Sequence, residues 1–186
     1  ILPGLTCTIS AGVAEMTLLD IGGGIGVIQH ELNAAGVTGI TDVDASRAYL
    51  QIAQQEAEQR GYAARYVYGD FVTLADQIEA ADIVTMDRVI CCYPDGEALV
   101  TTAVTRAKRF FGVVYPRDNL WMRLAEPLLN GFYRLRGNPF RIFVHPTATV
   151  ERIVATNGLQ EIARHNGLLW QVVVYARSSG RADSPP

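Results

Sequence analysis

Cysteine is scarce in this chain of 186 residues: three occur, Cys7, Cys91 and Cys92, and two of them are neighbours. That supply builds neither a disulfide framework nor a zinc site of paired CxxC motifs, so no metal is expected and a reducing, cytoplasmic setting fits best. Basic charge is also scarce. Sixteen Lys and Arg face nineteen Asp and Glu, giving a net charge of −3 and an isoelectric point near 5.6. The chain therefore lacks the positive field that sequence-independent nucleic-acid binding needs. No apolar run reaches the about 18 residues of a membrane span. The opening "ILPGLTCTISAGVAEM" has no basic stretch before its weakly apolar part, so no secretory signal is expected.

What is present is a regular alternation of short apolar runs with longer amphipathic stretches. The runs are too apolar to have one wet face, as in a parallel sheet covered by helices on both sides, so an α/β class is expected. Strands are placed at Thr17–Ile21, Gly39–Val43, Ala64–Tyr68, Asp82–Met86 and Phe110–Tyr115. A helix over Ala45–Arg60 follows from Asp44 or Ser46 as N-cap, Tyr49, Ile52, Ala53 and Ala57 as an apolar stripe, and Gly61 as the stop. After the fifth strand, Pro127, Gly131, Gly137 and Pro139 are expected to break any long helix, so residues 117–145 read as an insertion or cap. Leu120, Leu124 and Leu128 recur there at four-residue spacing, which suits either a lid or a helix packed on the core. A helix from Thr147–Thr149 to Asn157–Gly158 follows. Two β-rich runs joined at His165-Asn166-Gly167 then suggest a hairpin turning on Asn-Gly. Residues 1–177 read as one domain, and the tail "SSGRADSPP", 178–186, as unordered.

The stretch "LLDIGGGIGVIQHEL" carries the chemistry. A glycine-rich turn from a first strand into a helix lets backbone N–H groups and the helix N-terminus meet a ligand at contact distance. Dinucleotide enzymes need G-x-G-x-x-G. Here the glycines fall at Gly22, Gly24 and Gly26, with Val27 where the dinucleotide pattern has its third glycine. Asp44 ends the second strand, where a carboxylate beside the crevice can accept from both hydroxyls of a ribose. The third strand ends in Gly69-Asp70-Phe71, which offers an acceptor for an exocyclic amine and a wall for a purine.

Taken in order, "LLDIGGGIG", Asp44, "GDF" and "ADIVTMDRVICCYPD" resemble the successive motifs of the class I S-adenosylmethionine-dependent methyltransferases, over about residues 17 to 176. The resemblance implies a doubly wound, mostly parallel, seven-stranded Rossmann-like sheet closed by an antiparallel C-terminal hairpin. It implies S-adenosylmethionine as cofactor. Asp20, Gly22, Gly24 and Gly26 would lie under the methionine and adenosyl parts, Asp44 at the ribose, Asp70 and Phe71 at the adenine, and Asp87 with Arg88 beside the methyl group. The family usually has one or two helices ahead of the first strand, and sixteen residues precede Thr17 here, so either that cover is reduced to one short helix or the sequence starts inside a longer natural chain.

The acceptor is less legible. Neither the Pro-Pro-aromatic run of amine-directed DNA enzymes nor the Pro-Cys of C5-cytosine enzymes is present, because "DRVICCYPD" has its cysteines before the proline. Cys91 and Cys92 read as small buried hydrophobes. A small-molecule acceptor is expected, with Tyr93, Tyr115, Arg117, Trp121 and His145 as candidates to meet it and no catalytic base assigned. Residues 117–145 hold five arginines against Asp118 and Glu126, a local balance of +3 interleaved with aromatics. This suits a large, flat or anionic acceptor, or peripheral contact with a membrane surface. The strand-four stretch and the insertion resemble magnesium-protoporphyrin O-methyltransferases, although that group's histidine near the end of strand four is replaced by Cys91-Cys92-Tyr93. A non-catalytic cofactor-binding protein and an NAD-dependent oxidoreductase remain the alternatives.

Overall fold

The computed structural model describes residues 12–178. The expected short leading helix and the tail beyond residue 178 lie outside them. Seven strands form one sheet in the order β3-β2-β1-β4-β5-β7-β6. They are β1 (Thr17–Ile21), β2 (Thr38–Asp44), β3 (Ala64–Tyr68), β4 (Ala81–Asp87), β5 (Ala107–Pro116), β6 (Leu159–Asn166) and β7 (Trp170–Arg177). The first five pair in parallel, and β7 runs antiparallel to both β5 and β6. Helices α1 (Val27–Ala34), α2 (Arg47–Gln59), α3 (Phe71–Leu74) and α4 (Gly96–Arg106) make the crossovers, with α5 (Leu120–Leu135) and α6 (Thr147–Thr156) between β5 and β6.

Alternation along the central strands shows why their sequences are apolar throughout. Leu18, Ile83 and Val114 join one core layer, with Leu32 of α1, Val37 and Ile40. Leu19, Val84, Met86 and Val113 join the other, with Leu99 and Val104 of α4 and Val150 and Ile153 of α6. A strand buried on both faces has no polar side to show, which removes the period-two signal and leaves a continuous run. The bottom of the sheet is latched by polar groups. Asp82 accepts from the Thr17 backbone N–H (3.0 Å) and hydroxyl (2.9 Å), while the same hydroxyl accepts from the Asp82 N–H (2.9 Å).

Three expectations change. In α2 the Ser46 side chain caps Tyr49 N and the chain turns at Gly61, as anticipated, but the buried stripe is Leu50, Ala53 and Ala57. Tyr49 and Ile52 are exposed, because the stripe facing the sheet is centred one residue further along. Pro127 and Gly131 do not break the segment after β5: α5 runs through both. A proline inside a helix removes only its own N–H bond and strains one turn, and here the start of the helix is capped by the Asn119 side chain accepting from Met122 N (2.9 Å), while Asn130, after the proline, holds Ile142. Finally, Asn166 pairs with Gln171 and Gly167 N donates to Trp170 O (2.8 Å), so the hairpin turns on Leu168-Leu169 rather than on Asn-Gly.

Candidate functional site

The order of parallel strands reverses between β1 and β4, each crossover leaving outward from that line, so their carboxyl ends open a crevice between them. A cleft of about 810 Å³ lies there. One half is walled by Gly22, Gly24, Ile25, Asp44 and Tyr49, after β1 and β2. The other half is walled by Asp87, Arg88, Cys91, Cys92 and Tyr93 after β4, and by Pro116, Met122, Phe140, Ile142, Leu169 and Trp170 from the later elements.

The glycine loop has two different requirements. Gly24 has φ +60 and open space where a Cβ would be, facing the cleft. Gly23 is restricted by what lies beneath it: a Cβ there would sit 2.6 Å from Asp20 Oδ2, 2.6 Å from Gln29 Nε2 and 2.9 Å from Asp42 Oδ1. The loop thus covers a buried polar cluster. Asp20 accepts from the Thr85 hydroxyl (2.7 Å) and from Gln29 Nε2 (3.1 Å), and burial pushes its carboxyl up to about 6 despite these bonds. Asp42 is wholly buried, with both carboxyl oxygens unpartnered. Burial, reinforced by the Asp20 charge, lifts it to about 7. An unpaired carboxylate in such a place is costly, and protonation removes the cost.

Asp44 is held differently. Its Oδ1 accepts from Ser46 N (2.6 Å) and its Oδ2 from Gly24 N (3.2 Å), which fixes the carboxylate at the cleft wall against the glycine loop. One residue, Val43, separates Asp42 from Asp44, and strand alternation gives both acids the same face. Depth separates them: one lies under the loop, the other at its edge.

Asp70 lies outside the cleft lining. Its carboxylate accepts from Thr73 N (3.0 Å), capping α3, and from the Tyr93 hydroxyl (3.0 Å), so it reaches the cleft through Tyr93. Phe71 is corrected: its ring is buried at 4% exposure in the core, where it cannot serve as a wall for a purine. Burying an aromatic ring is worth more to the fold than a half-wet cleft wall, so the first apolar residue of α3 turns inward.

Beyond β4, Arg88 adopts φ 59 without being glycine, a conformation that needs support. The support is on both sides of it. Its N–H donates to Val114 O (2.9 Å), and its guanidinium pairs with Asp87 through two bonds, Nε to Oδ1 (3.0 Å) and Nη2 to Oδ2 (3.2 Å). The turn brings both cysteines to the cleft, and there the reading of two buried hydrophobes is half right. Cys91 is buried and Cys92 exposed, with their sulfurs 3.7 Å apart and the Cys91 thiol donating to Arg88 O (3.2 Å). Hydrogen bonding from Cys91 lowers the Cys92 thiol to about 7, whereas the Cys91 thiol is raised by the same contact and by burial.

The acceptor-side candidates scatter. Tyr93 lines the cleft. Tyr115 is 1% exposed and lies inside the core. Arg117 donates to Gly167 O (3.3 Å) at the hairpin, and Trp121 points to solvent at 81% exposure. His145 Nε2 lies 3.1 Å from Ile90 O and 3.0 Å from Tyr93 O. As a donor it ties down the turn that carries the cysteines, with its ring packed against Gly96. Sequence reasoning placed Phe140 among the aromatics of the cap but missed Gln29, Tyr49, Met122, Ile142, Leu169 and Trp170 as site residues. Only Gln29 left a signal, as a polar residue on the same helical face as Leu32.

A family model described as a methyltransferase domain matches residues 18–109. Among solved structures, magnesium protoporphyrin IX methyltransferase from Synechocystis PCC 6803, with bound S-adenosylhomocysteine, superposes with a TM-score of 0.73 at 19% identity, over 93% of this chain and 82% of that one. An O-methyltransferase family protein from Burkholderia thailandensis gives 0.72 at 17% identity, over 95% and 56%. The [4+2]-cyclase SpnF gives 0.69 at 11% identity, over 95% and 80%. No curated protein matches in sequence. Residues 18–109 thus match a methyltransferase domain, and the sheet order with its glycine turn after β1 is the class I S-adenosylmethionine-dependent methyltransferase fold.

Proposed function

We propose that this protein transfers a methyl group from S-adenosylmethionine to a small-molecule acceptor bound in the second half of the cleft. The observation that carries the reading is the joining of Gly24 N to the Asp44 carboxylate at the cleft wall, beside an open, side-chain-free floor. The residues present fit the cofactor. Gly24 leaves room for a backbone-close ligand on the loop that Gly22 and Gly26 turn, Asp44 offers an acceptor for paired hydroxyls, and Asp20 with Asp42 supports the loop from beneath. The Asp70–Tyr93 pair closes the adenine side, and Asp87 with Arg88 borders the reacting end.

When bound, S-adenosylmethionine would supply an electrophilic methyl carbon open to in-line attack by an acceptor lone pair, with S-adenosylhomocysteine as the leaving group. What the chain must then do is align the two atoms and exclude water. The walls from Met122, Phe140, Ile142, Leu169 and Trp170 do the second, and their apolar character favours an acceptor with an apolar or aromatic body. Residues 117–145 serve as the cap that places these walls. No cleft histidine or lysine is available among the described residues to take a proton, so the acceptor atom is one that is already nucleophilic, or is activated by Tyr93, Cys92 or Asp87.

Thermal melting tests the cofactor reading. At one hundred times its dissociation constant, S-adenosylhomocysteine should stabilise the chain by about 2.7 kcal/mol. An unmoved melting curve at saturation would show that the cofactor is wrong.

A further inference from the structure

Helix α5 has none of its side chains buried. Leu120 (72% exposed), Trp121 (81%), Leu124 (55%), Leu128 (74%), Phe132 (48%) and Leu135 (89%) all face solvent. At about 100° per residue these six fall within a single arc of about 120°. The opposite side is pinned to the protein: Met122 lines the cleft, Glu126 accepts from Val144 N (3.1 Å), and Asn130 bonds both the N–H (2.9 Å) and the carbonyl (2.8 Å) of Ile142. The apolar arc is therefore held outward and cannot be packed by a simple roll of the helix.

A second element repeats the pattern. The β6–β7 hairpin turns on Leu168 and Leu169, 87% and 51% exposed, at positions where turns usually carry Gly, Asn or Asp. Arg117 binds this tip to the chain just ahead of α5, donating its N–H to Leu169 O (2.9 Å). Two exposed apolar elements thus share one edge of the cleft mouth.

From these features we infer that α5 and the Leu168-Leu169 tip form one membrane-docking surface, which seats the acceptor end of the cleft on an anionic lipid bilayer. The charges fit that occupant. Arg134 and Arg136 are exposed beside the apolar arc, Arg136 over the Phe132 ring at 4.5 Å, while Glu126 is turned inward and Asp118 is paired with Arg123. The segment carries +3 in a chain of −3. A leucine and tryptophan face flanked by arginines is the composition of an interfacial helix. A second copy of the chain fits less well, because a two-fold contact through this face would bring the arginines of both copies together. None of the flanking arginines lines the cleft, which leaves them to a surface rather than to the acceptor. Resting on the methyltransferase reading, the docking deepens it: the acceptor is an amphiphile taken from the bilayer, entering past Met122, Phe140 and Leu169.

Sedimentation of the full chain with phosphatidylcholine vesicles containing phosphatidylglycerol, and with phosphatidylcholine alone, tests this without any acceptor. The chain should pellet with the anionic vesicles. Leu124→Gln with Leu128→Gln should abolish pelleting while leaving the melting temperature and S-adenosylhomocysteine binding unchanged. Arg134→Gln with Arg136→Gln should weaken pelleting about thirtyfold at low salt, or about fivefold per arginine. A chain that stays in the supernatant with anionic vesicles overturns the proposal. So does a concentration-dependent dimer in sedimentation velocity that Leu128→Gln dissolves. Because vesicle binding needs no cofactor, either failure leaves the cofactor reading standing, and failure of that reading leaves vesicle binding to be scored separately.

Discussion

The backbone N–H of Gly24 donates to Oδ2 of Asp44 across 3.2 Å, tying the loop after β1 to the end of β2. A ligand that seats on this loop and carries paired hydroxyls meets the carboxylate with one position already fixed. Asp44→Ala should therefore weaken S-adenosylhomocysteine binding by about 2–3 kcal/mol, the loss of charge-assisted hydrogen bonds. Asp42→Asn, whose side chain lies beneath the loop, should weaken it less. Calorimetric titration of both variants decides between the two acids, and a larger loss at Asp42 would reverse their roles.

Gly23 and Gly24 should fail in different ways. Gly23→Ala places a Cβ 2.6 Å from a buried carboxylate oxygen and from the Gln29 amide, so the loop has to lift. It should destabilise the fold by about 1–3 kcal/mol. Gly24→Ala meets no atom within 4 Å and carries only its left-handed conformation, φ +60, at a cost of about 1–2 kcal/mol. Its methyl group would project into the cleft, so binding should suffer more than folding. Parallel denaturation and binding measurements on both variants would show the split.

The Asp20–Asp42 pair gives the chain an unusual pH response. Both carboxyls are raised in the folded state, to about 6 and about 7, chiefly by burial. The folded state then holds more protons than the unfolded state between about pH 4 and pH 7, so stability falls as pH rises through that window and levels off above it. Urea denaturation across the window should show the fall. Asp42→Asn should flatten it, since the amide needs no proton. Stability that rises from pH 4 to 7 in the wild type would contradict the assignment.

Thiol chemistry should separate two adjacent residues. Cys92 is exposed with its thiol lowered to about 7, while Cys91 is buried and raised. Iodoacetamide at neutral pH should label Cys92 first, as read by mass spectrometry. Since both residues border the cleft, S-adenosylhomocysteine should slow the labelling. Equal labelling of the two would mean that the turn after β4 is not held as described.

How much of this was legible in the sequence depended on what held each part in place. The central parallel strands were, because burial on both faces writes a continuous apolar run, and β1 begins and ends where its run was placed. The glycine loop and Asp44 were, because positive φ and a strand-end carboxylate are local requirements. Phe71 was misjudged because nothing local tells whether a strand-end aromatic turns to the core or to the cleft. Tyr115 was misjudged for the same reason. The acceptor walls are contributed by α5, the 138–144 segment and the β6–β7 tip, and only the fold brings Met122, Ile142 and Leu169 together. Pro127 suggested a break that the helix does not make, and the Asn119 cap and the Asn130–Ile142 bonds that anchor α5 leave no local signal at the proline.

Titration of the full chain with S-adenosylmethionine, S-adenosylhomocysteine and NAD under one set of conditions tests the central claim most directly. Val27 stands where a dinucleotide loop needs its third glycine, while Gly22, Gly24 and Gly26 supply the left-handed turns of the loop observed here. The account predicts micromolar binding of both adenosyl ligands, weakened together by about 2–3 kcal/mol in Asp44→Ala, and no heat from NAD. Binding of NAD in preference to S-adenosylhomocysteine, or no binding of either adenosyl ligand, would contradict it.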